Sequence, residues 1–86
     1  MPGPVLTPAQ SRMARAALQW SVEEAAEAAG LSYRTILRFE KEQRDIQVEL
    51  IVNLRRTYEA AGVRLIEKGA DAGGVVPPAL RGLRPN

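Results

Sequence analysis

Two arginines one helical turn apart, Arg34 and Arg38, follow a glycine and a serine in the stretch AGLSYRTILRFE, residues 29–40. An arginine side chain is a planar fork of N–H donors, and that fork matches guanine O6 and N7 in the major groove of a duplex. Tyr33 and Leu37 stand beside the arginines and suit a thymine methyl or a sugar. Lys41 and Arg44 fall at and just beyond the end of the same segment, where they suit phosphate neutralisation. An ordinary solvated helix face carries the same residue types. What favours recognition here is the setting: a glycine turn and then a capped helix.

Other chemistries have less to work with. The chain has no Cys and no His, so it lacks disulfides, thiolates and the commonest general base and metal ligand. No nucleophile–base pair or metal cluster is visible, so neither an enzyme nor a bound cofactor is expected. The formal net charge of +2 is a small bias toward anionic partners. No apolar stretch reaches membrane-spanning length, and MPGPVLTPAQ lacks the basic-then-apolar order of a signal peptide. A cytoplasmic location is the expectation, and a cysteine-free chain is compatible with it.

The elements that must position the arginines are legible from caps and turns. Residues 1–6 hold two prolines and a glycine and are expected to be loose. Thr7 and Pro8 read as N-cap and first residue of a helix, with Met13, Ala14, Ala17 and Leu18 as its apolar face. Trp20 closes this segment as a core residue. Ser21 and Glu24 have capping-box spacing and open a second helix, which Gly30 ends in a left-handed cap. Ser32 caps a third helix over about 33–41, with Ile36 and Phe39 turned inward. A fourth follows over about 48–61, striped with Leu50, Ile51, Leu54, Tyr58 and Ala61. VRLI at 63–66 suits a short strand, and Val75–Val76 could pair back on it.

Two short helices joined by Gly30-Leu31-Ser32 have the form of a helix-turn-helix. Ala26 is small where the helices approach, Gly30 supplies the positive φ, and Leu31 and Ile36 plug the space between them. The outward residues of the second helix are then Tyr33, Arg34, Leu37, Arg38 and Lys41.

With those residues in place, the chain resembles the Cro/repressor-type (XRE) helix-turn-helix family of bacterial and phage transcription regulators. The matching residues are Leu6-Thr7-Pro8-Ala9-Gln10, Arg12, Ala14-Arg15, Leu18, Trp20-Ser21, Glu23-Glu24, Ala26, Ala29-Gly30, Ser32, Arg34-Thr35-Ile36, Arg38-Phe39-Glu40 and Glu59-Ala60-Ala61-Gly62-Val63. The resemblance implies that Tyr33, Arg34 and Arg38 read bases and that Ser32 and Thr35 lie near phosphates and base edges. It places Lys41 and Arg44 where the loop after the recognition helix meets the backbone. It also implies that Arg15 and Glu40 form a structural ion pair between the first and third helices. This chain has Val22 where the family often has a phosphate-contacting Gln, Ala25 where a Leu is usual, and apolar Leu37 on the outward face.

The expected fold is all-α: a four- to five-helix Cro/repressor-like helix-turn-helix domain over 7–66 with a short C-terminal β extension, then a loop and disordered tail over 67–86. The expected function is sequence-specific binding of double-stranded DNA in transcriptional control, as a repressor. A homodimer is expected, with Tyr58, Val63, Leu65 and Ile66 at the dimer surface. The alternative is a protein-interaction module on the same fold, an antitoxin-like or antiactivator-like chain binding a partner protein through Val22, Tyr33 and Leu37.

Overall fold

The computed structural model describes residues 5–43 and 45–78. Arg44, and the tail arginines Arg81 and Arg84, lie outside the described residues. Four helices run in order: α1 (Pro8–Leu18), α2 (Val22–Ala29), α3 (Tyr33–Glu40) and α4 (Val48–Ala60). A two-stranded antiparallel sheet follows, β1 (Arg64–Leu65) paired with β2 (Val75–Val76) in the register Arg64↔Val76 and Leu65↔Val75. No helix among the described residues is long and apolar enough to cross a membrane.

Each of the first three helices starts at a hydroxyl cap. Thr7 accepts from the Gln10 amide at 3.0 Å and Ser21 from the Glu24 amide at 3.0 Å. In both, the third residue's side chain reaches back to the cap amide, at 3.0 Å from Thr7 and 2.8 Å from Ser21. Both are complete capping boxes, which satisfy two otherwise orphaned donors per helix. α1 ends on Gln19 in the left-handed region at φ 60°, a conformation that carries no glycine signal in the sequence.

α2 packs against α3 and α4, and α1 against α3, α4 and the hairpin. The core is Leu6, Ala14, Ala25, Ala26, Ala29, Ile36, Phe39, Leu54, Tyr58, Val63 and Leu65. Asn53 donates to the Ala29 carbonyl at 2.7 Å, tying α4 to the end of α2.

The inward face of α1 is rotated from the apolar face expected. Met13 is exposed, while Gln10, Ser11 and Ala14 are buried. The reason is a polar network. Ser11 Oγ donates to Glu40 Oε2 at 2.6 Å and lies 2.8 Å from the Tyr58 hydroxyl. Arg15 closes on Glu40 with two prongs, Nε to Oε2 at 2.8 Å and Nη2 to Oε1 at 2.6 Å. Arg12 adds a hydrogen bond to the Glu40 main-chain carbonyl. The hydrogen bond that Arg15 donates to Glu40 raises the Arg15 pKa and so favours its charged form. Glu40 is thus scaffold: its carboxylate joins α1, α3 and, through Ser11, α4.

Burial pushes the Tyr58 hydroxyl up from 10.0 to about 12, against the opposing hydrogen bond with Ser11. A group whose folded value is raised contributes stability in full below its unfolded value and loses it as pH climbs through the folded one. An alkaline titration followed by far-UV circular dichroism is therefore expected to lose stability between pH 10 and about 12. The loss for this group is on the order of 2 kcal/mol. In Tyr58→Phe that component of the pH dependence disappears.

Tyr58, Val63 and Leu65, expected at a dimer surface, are instead inside the domain's own core, and Ile66 is half-buried. Helical spacing identified Tyr58 as apolar-facing, and the face it meets is α1 and Trp20, whose ring centre lies 6.2 Å from its own.

Candidate nucleic-acid interface

The turn between α2 and α3 follows from three residues. Gly30 adopts φ 68° and ψ 30°, where an L side chain is strained although a Cβ would meet nothing within 4 Å. Leu31 donates from its amide to the Ala26 carbonyl at 2.9 Å, closing the end of α2. Ser32 then caps α3, accepting from the Thr35 amide at 3.0 Å. Ala25, Ala26 and Ala29 are buried on α2, and Ile36 and Phe39 on α3, so small residues on one helix meet large ones on the next. Helix geometry leaves the other side of α3 outward.

Tyr33, Arg34 and Lys41 are exposed on that side, and Leu37 and Arg38 are half-buried. Tyr33 has 46 % of its surface exposed, a high value for a large side chain in so small a domain. Among the described residues Arg34 makes no side-chain hydrogen bond or ion pair, so its whole fork is available. Ser32 and Thr35 share a hydroxyl–hydroxyl bond of 2.8 Å at the helix start. Thr35 also lines a small apolar cleft with Leu31, Ile36 and Ile46, so it faces partly inward. Val22 is half-buried against the core.

Arg38 is placed differently from Arg34. Its Nε donates to Gln43 Oε1 at 3.0 Å, and its Nη2 pairs with Asp45. Neither Gln43 nor Asp45 stands among the residues that the sequence pattern singles out. An opposite charge seven residues past Arg38 was the one available signal, and no helical rule reads it once the helix has ended at Glu40.

Charge around the face is divided. Glu23 and Glu27 are exposed on α2, and Glu24 is held in its capping box. Arg55, on α4, is engaged elsewhere: it pairs with Glu59 at 3.1 Å and Glu67 at 2.9 Å and donates to the Val5 carbonyl at 2.8 Å. Glu67 in turn lies below the ordinary carboxylate pKa, chiefly through the hydrogen bond from Arg55.

A family model described as helix-turn-helix matches residues 12–60, from within α1 to the last residue of α4 and more than half of the chain. Neither a curated protein nor a solved structure matches it.

Proposed function

Given that the chain belongs to the Cro/repressor-type (XRE) helix-turn-helix family of DNA-binding regulators, we propose that it is a sequence-specific repressor that reads the major groove with α3. The observation that carries this reading is the outward face of α3, where Tyr33 and Arg34, the latter unpartnered among the described residues, stand at the helix start and Lys41 at its end. Tyr33, Arg34 and Arg38 read base edges. Ser32, Thr35, Leu37, Lys41 and the undescribed Arg44 hold the groove wall and phosphates. Phosphate contacts set the register on the duplex, and base contacts select the sequence. Bound across a promoter, such a protein represses by occupying the site.

One such module makes a small interface, so the working unit is a homodimer on two half-sites about 34–36 Å apart. With Tyr58, Val63 and Leu65 buried, the surface we assign to the second copy is the outer face of α4. There Val48, at 55 % exposure, and Val52 border a shallow hollow with Glu49, Asn53 and Arg56. Two copies of α4 packed antiparallel about Val52 bring Glu49 of each against Arg56 of the other, a self-complementary arrangement suited to a two-fold axis. Val52→Glu is expected to weaken dimerisation by at least roughly tenfold in analytical ultracentrifugation, with helix content unchanged. A variant that dimerises as the wild type does would move the interface away from α4.

The test of function is selection of preferred duplexes from a randomised pool, then titration of the recovered sequence against competitor DNA at two salt concentrations. A paired half-site motif whose binding survives competitor supports the repressor. Weak, salt-erased binding with no preferred sequence refutes it. That result would favour Val22, Tyr33 and Leu37 as a docking patch for a protein.

A further inference from the structure

The end of α3 has an unusual construction. Lys41 is the C-cap, and the next residue, Glu42, takes φ 64° in the left-handed region normally left to glycine. The Gln43 amide then donates to the Arg38 carbonyl at 3.1 Å, closing the helix by the same six-to-one bond that Leu31 makes at the end of α2. α2 uses Gly30 for this turn; α3 uses a strained glutamate. The consequence is that the chain folds back over Arg38. Gln43 and Asp45 both reach its side chain, so Arg38 is tied to this loop by main chain and side chain together.

The two bonds fall on one edge of the guanidinium. Nε goes to Gln43 and Nη2 to Asp45, so the side-on fork of Arg38 is occupied. Among the described residues Nη1 has no partner, and Nη2 carries a second hydrogen. What remains free is the end-on fork, which is itself sufficient for a bidentate contact with guanine O6 and N7.

Stability is a poor reason for this arrangement. The Arg38 side chain is 38 % exposed and Asp45 is 64 % exposed, and ion pairs so open to water stabilise a fold weakly. Arg38 has many rotamers, and a free one would lose that freedom on binding. A side chain already held in place loses less, and it tolerates fewer positions for the base it meets.

Resting on the reading of α3 as the base-reading helix, we infer that Gln43 and Asp45 are positioning residues that clamp Arg38 for end-on recognition of one guanine. Asp45 has a second effect of opposite sign. Its negative charge beside the phosphates lowers affinity for all DNA alike and leaves the ratio between the right sequence and the rest unchanged.

The test uses the full chain and the duplex recovered from the randomised pool, with all four base pairs placed in turn at each position. Arg38→Ala identifies the base pair it reads, by making that position indifferent. Gln43→Ala and Asp45→Ala are expected to lose roughly tenfold in discrimination for guanine there, and nothing elsewhere in the site. Gln43→Ala changes no charge, so its loss is positional. Asp45→Asn keeps an acceptor oxygen; it is expected to retain most of the discrimination while binding every duplex more tightly.

Full discrimination in both alanine variants, with every duplex merely bound more tightly by Asp45→Ala, would overturn the clamp and leave the regulator reading standing. So would an Arg38→Ala protein that keeps its preference at every base pair. A wild type that enriches no sequence would remove both.

Discussion

Glu40→Ala is expected to remove roughly half of the domain's stability without abolishing the fold. Glu40 is 6 % exposed, and its carboxylate takes both prongs of Arg15 and the hydroxyl of Ser11. Truncation leaves the Arg15 guanidinium, itself mostly covered, with no counter-charge, and leaves Ser11 with the Tyr58 hydroxyl alone. Breaking a buried pair from one side costs about 3–5 kcal/mol. A chain of this size has on the order of 5–10 kcal/mol in total. Urea denaturation followed by circular dichroism measures the difference. Glu40→Gln separates charge from hydrogen bonding: it keeps an acceptor for Ser11 but drops the ion pair, and is expected to fall between wild type and Glu40→Ala. A loss below about 1 kcal/mol in Glu40→Ala would mean that the pair behaves like an exposed one and that apolar packing alone joins α1 to α3.

That network marks the boundary of what the sequence makes legible. Caps and turns are local, and Thr7, Ser21, Gly30 and Ser32 stand in the structure in the capping positions that their residue types demand. Hydrophobic spacing is less decisive on a helix rich in alanine. On α1 it favours Met13, yet Met13 is exposed and Gln10 and Ser11 are buried beside Ala14, because burial of those two is stabilised by satisfied hydrogen bonds rather than by apolar area. Nothing in a periodicity argument can see that Ser11 will find a partner twenty-nine residues away. The same limit applies to Tyr58, Val63 and Leu65: their apolar character was plain, but whether an apolar residue serves the core or a second copy is decided by packing.

The candidate interface divides in the same way. Which side of α3 faces outward follows from Ser32, Ile36 and Phe39, all visible in the sequence. The state of each outward residue does not follow. Arg34 and Arg38 are alike in type and one turn apart, but among the described residues Arg34 is unengaged, while Arg38 is held by Gln43 and Asp45. Glu42 in the left-handed region makes that difference, and a glutamate gives no warning of such a turn. Residue type locates the reading face; the loop after the helix determines how one of its arginines is presented.

Arg34→Ala should therefore have the largest effect on DNA binding of any single change that leaves the fold intact. Alanine is the best helix former, and Arg34 is exposed with no partner to lose among the described residues, so stability is expected to be unchanged. Near the start of α3 its charge is also opposed by the helix dipole, so removing it does not weaken the helix. If Arg34 reads a base edge, its loss costs about 1–3 kcal/mol on the preferred duplex, a fall of roughly 5- to 150-fold, and relaxes one position of the site. If it only neutralises a phosphate, binding to all duplexes falls together and the salt dependence drops by about one charge. The two outcomes are separated by titrating preferred and scrambled duplexes at several salt concentrations. Arg34→Lys sharpens the comparison. Lysine keeps the charge but has no planar fork, so it restores a phosphate contact and fails to restore a bidentate base contact. Loss of discrimination in both variants assigns Arg34 to base reading; recovery with lysine assigns it to the backbone. An Arg34→Ala protein that binds every duplex as the wild type does would remove Arg34 from the interface, and the recognition would then have to rest on Tyr33 and the clamped Arg38.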